Sequence, residues 1–179
     1  MKNKKIYTFL MLFLLFIFCI STKSHASNNE PSITSGSAIL LENSTSKVLF
    51  EKNMNEKLEP ASITKIMTAI LAIENCNLDD VVTVPYEAIS NIPSGYSVAP
   101  LQTDEQITVD QLLRVLMVHS ANDAANALAY HIDGSIPAFA ERMNAKLNAL
   151  GLKDSHFTNP SGQHDTNHYS TAHDIAILL

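Results

Sequence analysis

Between Ser62 and Ala149 apolar residues recur at helical rather than alternating spacing, and this restricts the fold more than any other feature. Ile63, Ile66, Met67, Ile70, Leu71 and Ile73 form one stripe, Leu112, Leu113, Leu116 and Met117 a second, and Ala138, Met143 and Leu147 a third. Each stripe predicts a helix with one buried face, so these segments must pack on one another or on a sheet. Pro60-Ala61 precedes the first and puts Ser62 at or near its opening turn. Thr108-Val109-Asp110-Gln111 predicts a capping box for the second. That helix is expected to break at Ser120-Ala121-Asn122, where small polar residues replace the stripe, and to resume over Asp123 to His131. Ser135 is expected to cap a further helix, with Pro137 in its first turn and Gly151 just past its end.

Strand signals are fewer. SAILLE and KVLFEK flank an Asn/Ser/Thr turn and predict a β-hairpin within residues 37–52, and Val81 to Val84 predicts a short strand. Residues 90–106 are expected to form a surface excursion, and residues 152–169 a loop with turns at Asn159-Pro160 and Ser161-Gly162. Ser170 is expected to open a last helix, inside which the sequence stops.

The first 26 residues are set apart from this pattern. Lys2, Lys4 and Lys5, an apolar run from Phe9 to Ile20, and Ser24-His25-Ala26 predict an export signal cleaved after Ala26. The run is shorter than the ~20 residues of a spanning helix, so a membrane tether is expected only through an uncleaved signal or through a C-terminal anchor missing from this sequence. Phe18 before Cys19 is too bulky for a lipid-attachment site. Residues 27–36 are expected to be a linker and residues 37–179 the folded domain. Removal of the signal leaves Cys76 as the single cysteine and rules out an internal disulfide. It also leaves eight basic side chains against the 18 acidic ones. A surface that acidic repels phosphate backbones, so no nucleic-acid partner is expected.

Ser62-Ile63-Thr64-Lys65 carries the sharpest chemical signal. Residues three apart on a helix share a face, so the amine can reach the hydroxyl. A serine hydroxyl becomes a nucleophile only when a neighbour takes its proton, and a lysine can do so only if burial or another cation lowers its pKa. By itself the motif reads more readily as a helix cap beside a solvated lysine. Ser44-Thr45-Ser46-Lys47 matches it too, in the hairpin turn where the lysine would be solvated. Ser120-Ala121-Asn122 is weaker alone, since Ser27-Asn28-Asn29 has the same pattern.

Several motifs in a fixed order are more specific than any one. Pro60-Ala61-Ser62-Ile63-Thr64-Lys65, Ser120-Ala121-Asn122-Asp123-Ala124, Asn159-Pro160-Ser161-Gly162 and His168-Tyr169-Ser170-Thr171-Ala172 together resemble the penicillin-binding serine D-alanyl-D-alanine carboxypeptidases. The resemblance runs from about Ser37 to Leu179. It implies an α/β fold of the α+β kind, β-lactamase/transpeptidase-like, with a helical subdomain plus part of an antiparallel sheet. It implies removal of the terminal D-alanine from peptidoglycan stem peptides through an acyl-enzyme on Ser62, which penicillins would also acylate. Lys65 would be the general base, Ser120 would pass the proton to the departing D-alanine, and Asn122 would hold the substrate amide. The Ser62 backbone N–H would form half of the oxyanion hole. No cofactor or metal is implied, and the site of action would be extracytoplasmic: the cell wall, the outer face of the membrane or the medium.

The family's third motif, Lys-Thr-Gly, is absent: after Asn122 the only lysines are Lys146, followed by Leu-Asn, and Lys153, followed by Asp-Ser. The chain is therefore expected to be an N-terminal portion of a longer enzyme, lacking further sheet strands and any C-terminal anchor, and to have little activity alone. A secreted, inactive relic that binds peptidoglycan is the non-enzymatic alternative. A serine β-lactamase is a second, disfavoured by Ala121 in the middle of the S-x-N and by the lack of a later glutamate loop. His164-Asp165-Thr166-Asn167-His168 imitates a zinc-peptidase motif, but the turn residues before it and the expected cap after it argue against the required helix. These histidines are expected to lie in a surface or substrate-side loop.

Overall fold

The computed structural model describes residues 31–179; the expected export signal, Cys19 and the first part of the linker lie outside them. Thr34–Leu179 forms one compact unit. It begins with an antiparallel ribbon of β1 (Ala38–Glu42) and β2 (Lys47–Lys52), in which Ala38 pairs with Lys52 and the register shifts between Leu40 and Leu41. A 3-10 turn over Ala61–Thr64 runs directly into α1 (Lys65–Asn75). β3 (Val81–Thr83), α2 (Tyr86–Ser90) and β4 (Gln106–Thr108) follow, and β3 and β4 pair antiparallel as a second small ribbon. The remaining helices are α3 (Val109–His119), α4 (Asn122–Asp133), α5 (Ile136–Ala149) and α6 (Ala172–Leu178).

The centre is α4. Its Ala124, Ala125, Ala127, Leu128 and Ala129 are all fully buried, so neighbours cover the helix on several sides. Alanine suits such a helix because it carries the highest helix propensity and the smallest side chain, letting adjacent backbones approach. One apolar cluster joins α4 to Ala72 of α1, Val82, Val84, Leu112 and Leu116. A second gathers Met67 and Leu71 of α1 with Phe139, Met143, Leu147 and Phe157. α1 contributes to both clusters, which fixes its opening turn relative to the rest of the fold.

Caps set the helix limits. The Thr108 hydroxyl accepts the Gln111 N–H at 3.3 Å while the Gln111 side chain accepts the Thr108 N–H at 3.0 Å. Ser135 accepts the Ala138 N–H, with Pro137 in the first turn. Other expectations need correction. Thr171, not Ser170, caps α6, its hydroxyl accepting the Asp174 N–H at 3.0 Å. Ser170 instead exchanges backbone hydrogen bonds with Leu58. The excursion after α2 ends in β4, which sequence reading did not anticipate. Ile63, Ile73 and Met117, assigned to apolar stripes, are exposed, because a stripe wider than the buried face leaves its margin in solvent. Among the described residues no helix is long and apolar enough to cross a membrane.

Candidate active site

The turn at Ala61–Thr64 and the first residue of α1 put Ser62 and Lys65 on one side of the same helix start. The Lys65 ammonium donates to Ser62 Oγ at 3.2 Å, to Asn122 Oδ1 at 2.8 Å and to the Ser161 carbonyl at 2.8 Å. Lys65 is only 2% exposed, whereas Ser62 faces solvent. Burial pushes the Lys65 amine down from the ordinary 10.5 to about 8. At pH 7 about a tenth of molecules then hold it uncharged.

Asn122 is buried at the start of α4. Its side-chain N–H and its backbone N–H both donate to the Ser97 carbonyl, at 3.1 and 2.9 Å, so its Oδ1 is aimed at Lys65. Ser120 ends α3 in the left-handed region, φ +56°, which turns the chain sharply into α4. Among the described residues no hydrogen bond joins its hydroxyl to Ser62 or Lys65. Asp123, 2% exposed, accepts the N–H groups of Ala99 and Leu101 and so ties the surface excursion to this break.

The third wall of the site is a tight loop. Asn159 Oδ1 accepts the N–H groups of Ser161, Gly162 and Gln163 at 3.2, 2.8 and 3.0 Å. That curl sends the Ser161 carbonyl to Lys65 and the Pro160 carbonyl to Thr68 Oγ1, which donates to it at 2.6 Å. Gly162 has φ +78°, and a Cβ there would lie 1.7 Å from the Ala61 carbonyl oxygen, directly behind the serine. Ala61 is itself left-handed, φ +47°. Gly162→Ala therefore forces backbone to move, and is expected to cost about 3 kcal/mol. In a domain of this size that lowers the thermal midpoint by about 6–12 °C. A melting curve within about 2 °C of the unsubstituted chain would show that the two turns do not press on each other.

Of the two places expected for these histidines, a surface or a substrate-side loop, His168 takes a buried one on the side of the serine turn. It is 3% exposed and lies against Thr64 beneath the serine turn, with Nε2 2.8 Å from Thr64 Oγ1. His164 stays exposed and pairs with Glu59 at 3.0 Å. Residues 164–168 are not helical, so the two rings do not share a helix face. Elsewhere, Cys76, Asp80 and His131 bring one donor atom each within 4.8 Å of one another, beyond the far end of α1 from Ser62. Asp123, His168 and the Ser161 carbonyl were all missed as site components by sequence reading.

An exposed serine whose hydroxyl meets a buried lysine of lowered pKa across one turn has the local geometry that serine–lysine acyl transfer requires. The chain belongs to the D-alanyl-D-alanine carboxypeptidase family, whose sequence profile matches residues 24–179. It is 42% identical over 147 residues to the D-alanyl-D-alanine carboxypeptidase DacF of Bacillus subtilis, covering 79% of this chain and 37% of that protein. It is 35% identical over 177 residues to the Escherichia coli carboxypeptidase DacD, covering 92% and 46%. The crystal structure of penicillin binding protein 6B from Escherichia coli superposes with a TM-score of 0.79 at 34% identity, covering 86% of this chain and 51% of that one. A mutant of the Streptomyces K15 DD-transpeptidase superposes with a TM-score of 0.79 at 31% identity, covering 83% of this chain and 61% of that one, so the fold is part of the DD-peptidase and transpeptidase fold. The chain spans less than half the length of these two curated relatives.

Proposed function

We propose that Ser62 is the acyl acceptor of a serine D-alanyl-D-alanine carboxypeptidase, attacking the terminal D-Ala-D-Ala bond of a peptidoglycan stem peptide outside the cytoplasm. The observation that carries this reading is the Lys65 contact set. A neutral amine has two N–H bonds and one lone pair. Asn122 Oδ1 and the Ser161 carbonyl, each at 2.8 Å, take the two N–H bonds. The lone pair is then left for the Ser62 hydroxyl at 3.2 Å, whose proton it accepts as the oxygen attacks. The Ser62 N–H lies in the first turn of a helix, where backbone donors lack intrahelical partners, so it can bind the developing oxyanion. Departure of D-alanine needs a proton, which the Lys65 ammonium formed in the first half supplies, with the Ser120 hydroxyl as relay. Asn122 has one side-chain N–H not used on Ser97, and that donor is offered to the substrate amide. Water then hydrolyses the ester. A penicillin enters the same path because its strained amide presents an equivalent carbonyl.

The test is incubation of the chain with a penicillin, with the adduct mapped by peptide mass spectrometry. An adduct on the peptide containing Ser62 is expected; an intact folded chain without any adduct would overturn the reading. None of the 179 residues supplies a Lys-Thr-Gly. Loss of one oxyanion donor alone costs about 10²- to 10³-fold. Release of D-alanine by these 179 residues is therefore expected to be slow, and because penicillin acylation passes through the same oxyanion the adduct is read after long incubation.

The acylation rate should also depend on pH in a stated direction. The base must be unprotonated, so the rate rises with pH through neutrality and levels off above about 8, where Lys65 has lost its proton. A rate that is flat from pH 6 to 9 would exclude Lys65 as the base.

A further inference from the structure

We infer that His168 is a positioning residue, a neutral ring held in one tautomer that joins the serine turn to the loop covering Lys65. This rests on the reading of Lys65 as the base and adds what keeps that base dry.

Both ring nitrogens of His168 are engaged, and by different parts of the chain. The Thr158 backbone N–H donates to Nδ1 at 3.1 Å. A backbone amide can only donate, so Nδ1 is the unprotonated nitrogen and Nε2 carries the hydrogen. Nε2–H then donates to Thr64 Oγ1 at 2.8 Å, across 104 residues of sequence. The Thr158 hydroxyl lies 3.2 Å from Nδ1 and the Asn159 Nδ2 3.4 Å from it. The ring stacks at a tilt on Phe157, centroids 5.2 Å apart, which keeps its plane fixed.

The consequence follows from what each partner does. Thr64 is the residue between Ile63 and Lys65 in the serine turn. Thr158 and Asn159 open the loop whose Ser161 carbonyl accepts from Lys65. His168 therefore clamps the two sides of the lysine pocket together from below. If the clamp loosens, water reaches the amine, its charged form is stabilised, and its pKa climbs back toward the lysine norm. Burial also pushes the His168 pKa down to about 4, with Asp165 raising it, His156 lowering it and Glu59 raising it. A protonated ring would turn Nδ1 into a donor facing the Thr158 N–H, so only the neutral ring closes the clamp.

Two measurements on this chain decide the matter. In ¹⁵N-histidine spectra, His168 is expected to show an unprotonated Nδ1 and a protonated Nε2 from neutral pH down to about 4. The opposite tautomer, or titration near 6.5, would overturn the inference. The second measurement is the Lys65 titration midpoint, followed through the ¹³C signal of its Cε, in Thr64→Val, His168→Phe and His168→Gln. Thr64→Val keeps the shape and removes only the acceptor. It should raise the midpoint by about one pH unit, a tenfold loss of neutral amine at a given pH. His168→Phe should do the same or more. His168→Gln, whose amide carries an acceptor and a donor side by side, should restore the midpoint toward about 8. Unchanged Lys65 titration in both Thr64→Val and His168→Phe would refute the clamp. If His168→Phe does not fold, Thr64→Val and the wild-type spectrum still decide. Failure of the function reading looks different, since Lys65 would then titrate near 10.5 in the unsubstituted chain while the His168 tautomer stayed as described.

Discussion

Ser62→Ala is expected to abolish covalent labelling by penicillin, with no adduct appearing on any other residue. The expected loss is at least on the order of 10³-fold, because deleting a nucleophile removes the covalent path and leaves only binding. The substitution takes one oxygen from an exposed position, so folding is retained and the loss is chemical. Ser44 supplies the internal control, being the other serine three residues before a lysine. Its hydroxyl donates to Glu42 Oε1 at 2.5 Å in an exposed turn, and Thr45 bonds the same carboxylate. Lys47 is exposed there, and Ser44→Ala is expected to label as the parent does. Mass spectrometry of the two variants side by side checks both statements. Labelling that survives Ser62→Ala would remove the basis of the mechanism.

Lys65→Met is expected to slow acylation by about 10³-fold and to erase its rise with pH. Methionine preserves the apolar stem among the α1 neighbours but offers no proton acceptor worth the name at neutral pH. It also leaves Asn122 Oδ1 and the Ser161 carbonyl without their shared donor, which costs about 1–3 kcal/mol per unsatisfied buried group. Relief from burying a partly charged amine offsets part of that cost. Circular dichroism thus separates a folded, slow variant from an unfolded one, and the rate is read only on the former. A variant that stays folded and acylates at the parent rate would show that another group takes the serine proton.

Much of this architecture could be read from local chemistry. The capping box at Thr108, the Ser135 cap with Pro137, and the helix break at Ser120-Ala121-Asn122 each depend on residues within one or two turns of one another. So does the hairpin around residues 43–46, and so does the pairing of Ser62 with Lys65. What escaped was set by distant partners. Gln106–Thr108 becomes a strand because β3 offers it a partner, not because three residues carry a strand signal. Ser170 looked like a cap, yet its backbone was taken by Leu58, and the next hydroxyl served instead. The Ser161 carbonyl is a backbone atom, and its arrival at Lys65 across 96 residues has no side-chain signature. His168 was the sharpest failure. In sequence it sits in a run of histidines that reads as a surface or substrate-side loop, and only packing against Phe157 and Thr64 gives it a buried role.

The proposed chemistry depends on an amine that surrenders its charge close to neutral pH while still touching the serine. The direct measurement is a pH titration of the unsubstituted chain labelled with ¹³C at lysine Cε, the Lys65 signal being assigned by its loss in Lys65→Met. A midpoint near 8 for that one lysine is the predicted result. A Lys65 midpoint at 10 or above in the folded chain would contradict the account.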